Sequence, residues 1–302
     1  MDGILPLFKE RGMTSNDAVI KCRGIFKTRK VGHSGTLDPN VDGVLPICIG
    51  KATKVVNYLM ESGKKYRGQV TLGFATTTED LDGEKIEEKK LIEAFPDIQI
   101  QQTMDTMTGE ITQIPPMYSA VKVNGKRLYE YARAGETVER PQRHVQIRSF
   151  KMIGPSVFDA ELGVQKIDFE VECSKGTYVR TLAVDLGKKL GIPAVMSDLT
   201  RLESGGFKLD QAIKLSELQE MKNQGTLEQA LFKVGYALRK LPQVELTNYQ
   251  WKIVKNGGFL KTEYLKSNAT EIVLNYQEKT RAVYKYNSQK DVYQPETMID
   301  LT

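Results

Sequence analysis

Histidine and cysteine are scarce in this chain of 302 residues. It has two histidines, His33 and His144, and three cysteines, Cys22, Cys48 and Cys173. An odd number of widely spaced cysteines argues against a disulfide scaffold and for a reducing, cytoplasmic compartment. With no Cys-x-x-Cys pair and so little histidine, no metal site is expected. No run approaches the roughly 18 apolar residues of a membrane span. The apolar stretch at residues 4–8 is too short and too early for a signal peptide. Three nucleophile and nucleotide motifs are also missing. The glycines at 32 and 35 are not followed by the Lys-Ser/Thr of a phosphate loop, there is no Gly-x-Ser-x-Gly, and no Gly-x-Gly-x-x-Gly follows a strand.

What is present suffices for a core, since 40% of residues are hydrophobic and 27% charged, which excludes a disordered chain. The net charge of +5 is unevenly placed. Residues 1–70 carry +6, residues 71–120 carry −7 and residues 121–150 carry +4. Two basic blocks flanking an acidic one fit a polyanionic partner, though ordinary solvated faces can look the same.

Hydrophobic spacing sketches the elements. Thr14-Ser15-Asn16-Asp17 opens a helix with Ser15 or Asn16 as cap, and Ala18, Val19, Cys22, Ile25 and Phe26 form its stripe. Residues 32–39 read as a loop. Tyr66, Gly68, Val70, Leu72 and Phe74 alternate with polar residues as a half-buried strand, and residues 76–90 follow as an acidic loop. Asn124-Gly125 marks a hairpin. Ile167, Phe169, Val171 and Cys173 form another strand, and Val179 to Leu190 a helix stopped by Gly191 and Pro193. Residues 208–240 read as a helical bridge, with short strands near 272–274 and 281–286 after it. Strands and helices without regular βαβ alternation indicate an α+β fold.

Three residues stand out, each with two readings. Asp38 lies between Leu37 and Pro39, either as a turn former or as an ionised nucleophile. Arg180 opens an otherwise apolar helix face, and Tyr66 sits on the apolar face of its strand. The residues alone leave both readings open.

Five segments in order remove the ambiguity. They are residues 9–15 (Lys-Glu-Arg-Gly-Met-Thr-Ser); 32–39 (Gly-His-Ser-Gly-Thr-Leu-Asp-Pro) continuing through Gly43 to Pro46; Lys65-Tyr66 with Leu72, Gly73, Thr76, Thr78 and Asp80; 115–120 (Pro-Pro-Met-Tyr-Ser-Ala) with Lys122, Gly125, Tyr129, Ala132 and Arg133; and 173–180 (Cys-Ser-Lys-Gly-Thr-Tyr-Val-Arg) with Asp185 to Gly187. Together they resemble the bacterial tRNA pseudouridine-55 synthases, the TruB family, over roughly residues 1–207. Glu10 departs from the pattern, where the family usually has proline.

The resemblance implies a largely antiparallel mixed sheet flanked by helices, a catalytic domain over residues 1–240 with an RNA-clamping insert at 121–150, and a small β-rich PUA-like domain over residues 241–302. It implies isomerisation of the T-loop uridine of tRNA by base flipping, with Asp38 as catalytic aspartate, Arg180 as its partner and Tyr66 stacked on the flipped base. His33 would fill the space the base leaves, and Tyr178 and Leu199 would line the pocket. Lys9, Lys122, Lys126, Arg127, Arg133 and Arg143 would contact substrate, with Arg140 and Arg148 as further phosphate contacts. Tyr129 and Tyr131 would pack the insert. No cofactor, metal, membrane or obligate protein partner is implied, and a monomer is expected. An alternative role is a helper that opens and refolds the tRNA elbow, with catalysis secondary.

Overall fold

The computed structural model describes residues 1–265 and 267–302. The fold is α+β and divides into two compact units. One joins Met1–Glu61 to Ser204–Thr302, and the other is Ser62–Glu203.

The first unit is built around its N-terminal strand, Gly3–Lys9, which is almost wholly buried. A run apolar on both faces suits a strand covered on both sides. It pairs antiparallel with Asp42–Ile49, which also pairs with Val31–His33. Pro6 and Pro46 face each other in this register. Their carbonyls turn outward, accepting from the Ile213 amide at 2.9 Å and the Ser34 amide at 3.1 Å. The missing N–H groups therefore fall where the two strands exchange no bonds. The other edge of the strand exchanges backbone bonds with the C-terminal part, Ile4 with Phe232 and Phe8 with Ile213.

The helix Ser15–Phe26 buries the predicted stripe. Its cap is Thr14, not Ser15 or Asn16. The Thr14 hydroxyl accepts from the Asp17 amide while the Asp17 carboxylate accepts from the Thr14 amide and hydroxyl, a reciprocal pair that satisfies the first turn. These bonds hold the Asp17 carboxyl below its usual range.

The C-terminal sheet runs in the order Gln243–Glu245, Glu271–Tyr276, Lys279–Asn287, Val292–Met298, Leu260–Lys261. The first pair is parallel and the rest antiparallel. Strand alternation splits its side chains between two cores. Ile272, Leu274, Ala282 and Tyr284 pack with Val254, Leu260 and Tyr293, whereas Val273 and Val283 pack with Ile4, Val44, Cys48 and Leu59. The three cysteines are free and buried. Burial pushes the thiols of Cys22 and Cys48 up to about 12 and that of Cys173 to about 11, so none is nucleophilic at neutral pH.

In the second unit a sheet runs Ala194–Ser204, Lys64–Leu72, Val164–Cys173, Arg143–Met152, Gly109–Gln113. The helix Val179–Leu190 ends at Gly191, whose φ of 75° gives the left-handed cap that glycine allows. Asn124 and Gly125, with φ of 52° and 82°, make the tight turn between Lys122–Val123 and Lys126–Arg127.

Three further expectations need correction. Residues 76–90 are not all loop, because Phe74–Thr76 pairs with Lys85–Glu88. All four residues of Lys85–Glu88 are exposed, so no apolar alternation announces that strand. Residues 208–240 contain one α-helix, Leu215–Asn223, and otherwise short 3-10 turns. Residues 32–33 close the strand Val31–His33 rather than open the loop. Among the described residues no helix is long and apolar enough to cross a membrane.

Within the first unit Lys51 Nζ pairs with Asp300 Oδ1 near the C-terminus at 2.7 Å. Burial works to raise the Asp300 pKa, but Lys51 and the hydroxyl and amide of Thr302 outweigh it and hold the carboxyl well below the ordinary range. A depressed acid stabilises the fold above its unfolded pKa and loses that stabilisation as pH falls. Asp300→Asn is therefore expected to lower the melting temperature at about pH 7, with the gap to the parent starting to narrow as pH falls below about 4 and closing only well below about pH 3. A gap of constant size across that range would remove the ion pair from the account.

Candidate active site

Asp38, His33 and Lys9 belong to the first unit. Asp38 is half-buried in the turn that leads into Asp42–Ile49, and its carbonyl accepts from the Val41 amide at 3.1 Å. Both residues beside it are pinned. The buried Ser15 hydroxyl accepts from the Leu37 amide at 2.8 Å and donates to the Leu37 carbonyl at 3.1 Å. The Pro39 carbonyl accepts from the Gly12 amide at 3.0 Å and from Lys9 Nζ at 3.1 Å.

Lys9 is fully buried, and its ammonium also donates to the carbonyls of Glu10 at 3.0 Å and Met13 at 2.7 Å. Its charge thus faces three backbone oxygens. A buried ammonium has three protons to satisfy, and three carbonyls meet that need. His33 Nδ1 accepts from the Gly35 amide at 3.2 Å, so the neutral ring carries its proton on Nε2. The loop thus holds its carboxylate on a backbone fixed from both sides. Ser15, read in the sequence as a helix cap, is the brace that sequence reasoning missed.

Tyr66, Leu199, Tyr178 and Arg180 belong to the second unit. Tyr66 is buried on Lys64–Leu72, opposite Val171. Two residues on, Gly68 has no room for a side chain. A Cβ there would stand 2.6 Å from the Asp198 carbonyl and 2.9 Å from Leu199 Cδ1. The glycine therefore lets Ala194–Ser204 close onto the strand and brings Leu199 against the same strand as Tyr66.

Tyr178 precedes the helix Val179–Leu190. The side-chain amide of the buried Gln113 accepts from its N–H at 3.0 Å and donates to its carbonyl at 3.2 Å. The Arg143 guanidinium lies 5.4 Å from the Tyr178 ring centroid.

Arg180 is 6% exposed. Its Nη1 donates to the Thr78 carbonyl at 2.9 Å, its Nη2 to the Tyr118 carbonyl at 3.0 Å, and Asp80 Oδ2 lies 3.6 Å from Nη1. One guanidinium therefore ties the 76–82 loop and the 115–120 loop to the start of the helix. Asp80 belongs to the quoted motif but was not singled out. The signal for it was its place in the same motif as Thr78, since a buried cation favours a nearby carboxylate.

The basic insert has its own internal order. Lys126 pairs with Glu136 at 2.8 Å and lies 4.5 Å from the Tyr131 ring centroid. Arg127 donates to the Tyr129 hydroxyl at 3.0 Å, and Arg133 lies 5.4 Å from the Tyr129 ring centroid. Tyr131 donates to the Val123 carbonyl at 3.0 Å. The two tyrosines thus pack the insert and support its cations, while Lys122, Arg127 and Arg133 face solvent. Arg143 and Arg148 lie instead on the sheet strand Arg143–Met152, where Arg148 pairs with Glu172 at 3.2 Å. Among the described residues no group of three His, Cys, Asp or Glu side chains is placed to hold a metal ion.

Comparison with known proteins gives a consistent picture. The model of the TruB family pseudouridylate synthase N-terminal domain matches residues 23–179, and that of the tRNA pseudouridylate synthase B C-terminal domain matches residues 180–241. The chain is 62% identical over 302 residues to a tRNA pseudouridine synthase B of Ligilactobacillus salivarius, covering 100% of each. It is 56% identical over 300 residues to that of Pediococcus pentosaceus, covering 99% of each. Among solved structures, a Cbf5-Nop10-Gar1 complex matches at a TM-score of 0.72 and 26% identity, over 99% of this chain and 84% of the other. A chain of an H/ACA RNP bound to a substrate RNA shares the fold, with a TM-score of 0.72 and 24% identity over 99% and 85% of the two chains.

The Lys9 contacts carry a direct expectation. Lys9→Met takes this donor from the inward-facing carbonyls of Glu10 and Met13, while that of Pro39 keeps the Gly12 amide, at about 1–3 kcal/mol for each unpaired carbonyl that water cannot reach. A loss of at least about 2 kcal/mol in denaturant unfolding should follow, and an unchanged midpoint would show that the ammonium does not brace the loop.

Proposed function

The chain belongs to the TruB family of pseudouridylate synthases and forms pseudouridine in tRNA, and from that premise we propose that its target is the T-loop uridine at position 55. The observation that carries the catalytic assignment is the loop backbone fixed on both sides of Asp38 by Ser15 and Lys9. Pre-organisation of this kind suits a group that must act at one atom.

The reaction breaks the bond from C1′ to N1 and forms one from C1′ to C5. The proton on C5 is lost and N1 gains one, so no redox partner or cofactor is needed. Asp38 assists cleavage in its ionised form, either by attack at C1′ or by taking a proton from C2′. We assign Arg180 the task of keeping that carboxylate ionised and oriented, which a planar fork does better than an ammonium.

The target base is stacked in the folded T loop and must be extruded. Tyr66 stacks on it, Leu199 and Tyr178 line its pocket, and His33 takes the vacated space as a neutral ring. The exposed Lys122, Arg127 and Arg133, with Lys126 and Arg143, meet phosphates of the T arm and elbow. The β-rich residues 241–302 serve as a PUA-like RNA-binding domain. The protein acts as a monomer in the cytoplasm, where its substrate is.

The test is an unmodified tRNA transcript incubated with the protein alone and mapped chemically at single-nucleotide resolution. One modified position, in the T loop, is expected. Asp38→Asn should lower the rate by roughly 10⁴-fold with little change in tRNA affinity, and Arg180→Lys by about 10²-fold. Full activity of Asp38→Asn would end the assignment of the nucleophile. Salt-sensitive tRNA binding without pseudouridine would favour the folding-helper role.

A further inference from the structure

The second unit holds a half-buried carboxylate that none of these roles uses. Glu79 stands between Thr78 and Asp80, both of which meet the Arg180 guanidinium. Its own Oε2 accepts from the Thr181 hydroxyl at 2.8 Å. Thr181 follows Arg180 in the first turn of Val179–Leu190. Two consecutive loop residues, Glu79 and Asp80, therefore grip two consecutive helix residues, Thr181 and Arg180.

The backbone at Glu79 makes this placement costly. Its φ is 66°, in the left-handed region that residues with a Cβ seldom adopt, at about 1 kcal/mol or more. Glycine would adopt the same conformation without strain. The backbone is held on Met196, whose amide donates to the Glu79 carbonyl at 3.1 Å and which bridges to Asp80. A residue held in this conformation where glycine would be unstrained points to a use for its side chain, which among the described residues bonds to the Thr181 hydroxyl.

The surroundings fit a carboxylate tied to Arg180. Burial raises the Glu79 pKa, while the Thr181 hydroxyl and the positive charges of Arg180, Arg140 and Lys188 oppose that rise. Arg140 donates to the Pro115 carbonyl at 3.1 Å, at the head of the loop whose Tyr118 carbonyl accepts from Arg180.

We propose that Glu79 is a positioning residue for Arg180, its carboxylate fixing the 76–82 loop on the first turn of the helix and so the orientation of the guanidinium used in the reaction. The inference rests on the reading of Arg180 given under Proposed function. It differs from a general stabilising role, because removal of the side chain also removes the backbone strain.

The experiment measures single-turnover pseudouridine formation on an unmodified tRNA transcript, KM for that transcript and thermal unfolding. It compares Glu79→Gly, Glu79→Gln, Thr181→Val and the double variant Glu79→Gly/Thr181→Val, with Arg180→Lys as reference. Glu79→Gly should unfold close to the parent temperature, since lost strain offsets the lost hydrogen bond. Its rate should nevertheless fall about 10-fold, with KM changed by less than about twofold. Glu79→Gln keeps an acceptor for Thr181 and should recover most of that rate. The double variant should be no slower than the slower single one, because both changes cut the same link.

Parent-like turnover of Glu79→Gly beside an impaired Arg180→Lys would overturn this inference and leave the reading of Arg180 intact. Multiplying losses in the double variant would overturn it as well. A fully active Arg180→Lys would instead remove the reading of Arg180, and the role of Glu79 with it.

Discussion

A guanidinium taken out of water must be surrounded by oxygen, and in the second unit that requirement organises two loops. Arg180 is 6% exposed, cannot give up its proton, and offers donors in a fixed plane. Thr78, Tyr118 and Asp80 meet it from two loops far apart in sequence. Once those loops are anchored at the helix start, their remaining geometry follows. Asp80 accepts from the Thr78 hydroxyl and the Asp82 amide, and the Thr76 hydroxyl donates to the Asp80 carbonyl. Leaving such a charge unpaired would cost several kcal/mol, so these loops have little freedom to rearrange independently.

The first unit solves a similar problem with the other sign of group. There the loop around Asp38 exposes backbone carbonyls to the interior, and a buried ammonium and a buried hydroxyl satisfy them. The strand Gly3–Lys9 places Lys9, and the helix beginning at Ser15 places the hydroxyl. The same strand also bonds to residues 213 and 232, so the C-terminal segment supports the loop through it. Stability and reactivity are thus linked through a few polar contacts rather than through the apolar core alone.

Much of this was legible in the residues. The stripe of Val179, Leu182, Ala183 and Leu186 and the stop at Gly191 announced their helix, and Asn124-Gly125 its turn, because both depend on local chemistry. The cap at Thr14 was missed by one residue because Thr14, Ser15 and Asn16 are all good caps, and only the reciprocal bond with Asp17 decides among them. The strand Lys85–Glu88 was missed because its side chains are all exposed and its pairing is purely backbone. The buried ends of Lys9 and Ser15 were invisible for a related reason. A polar side chain near an apolar run gives no sign of which carbonyl it will reach.

The sequence by itself determined the α+β character, most element positions and the family motifs. These follow from short-range spacing and residue type, which act within a few positions of the chain. The tertiary structure alone decided that Lys9 turns inward, that Ser15 braces Leu37, that Asp80 meets Arg180 and that Glu79 is held in a left-handed conformation against Thr181. Each of those depends on groups brought together only when strands and helices pack, and on the cost of burying a polar group without a partner.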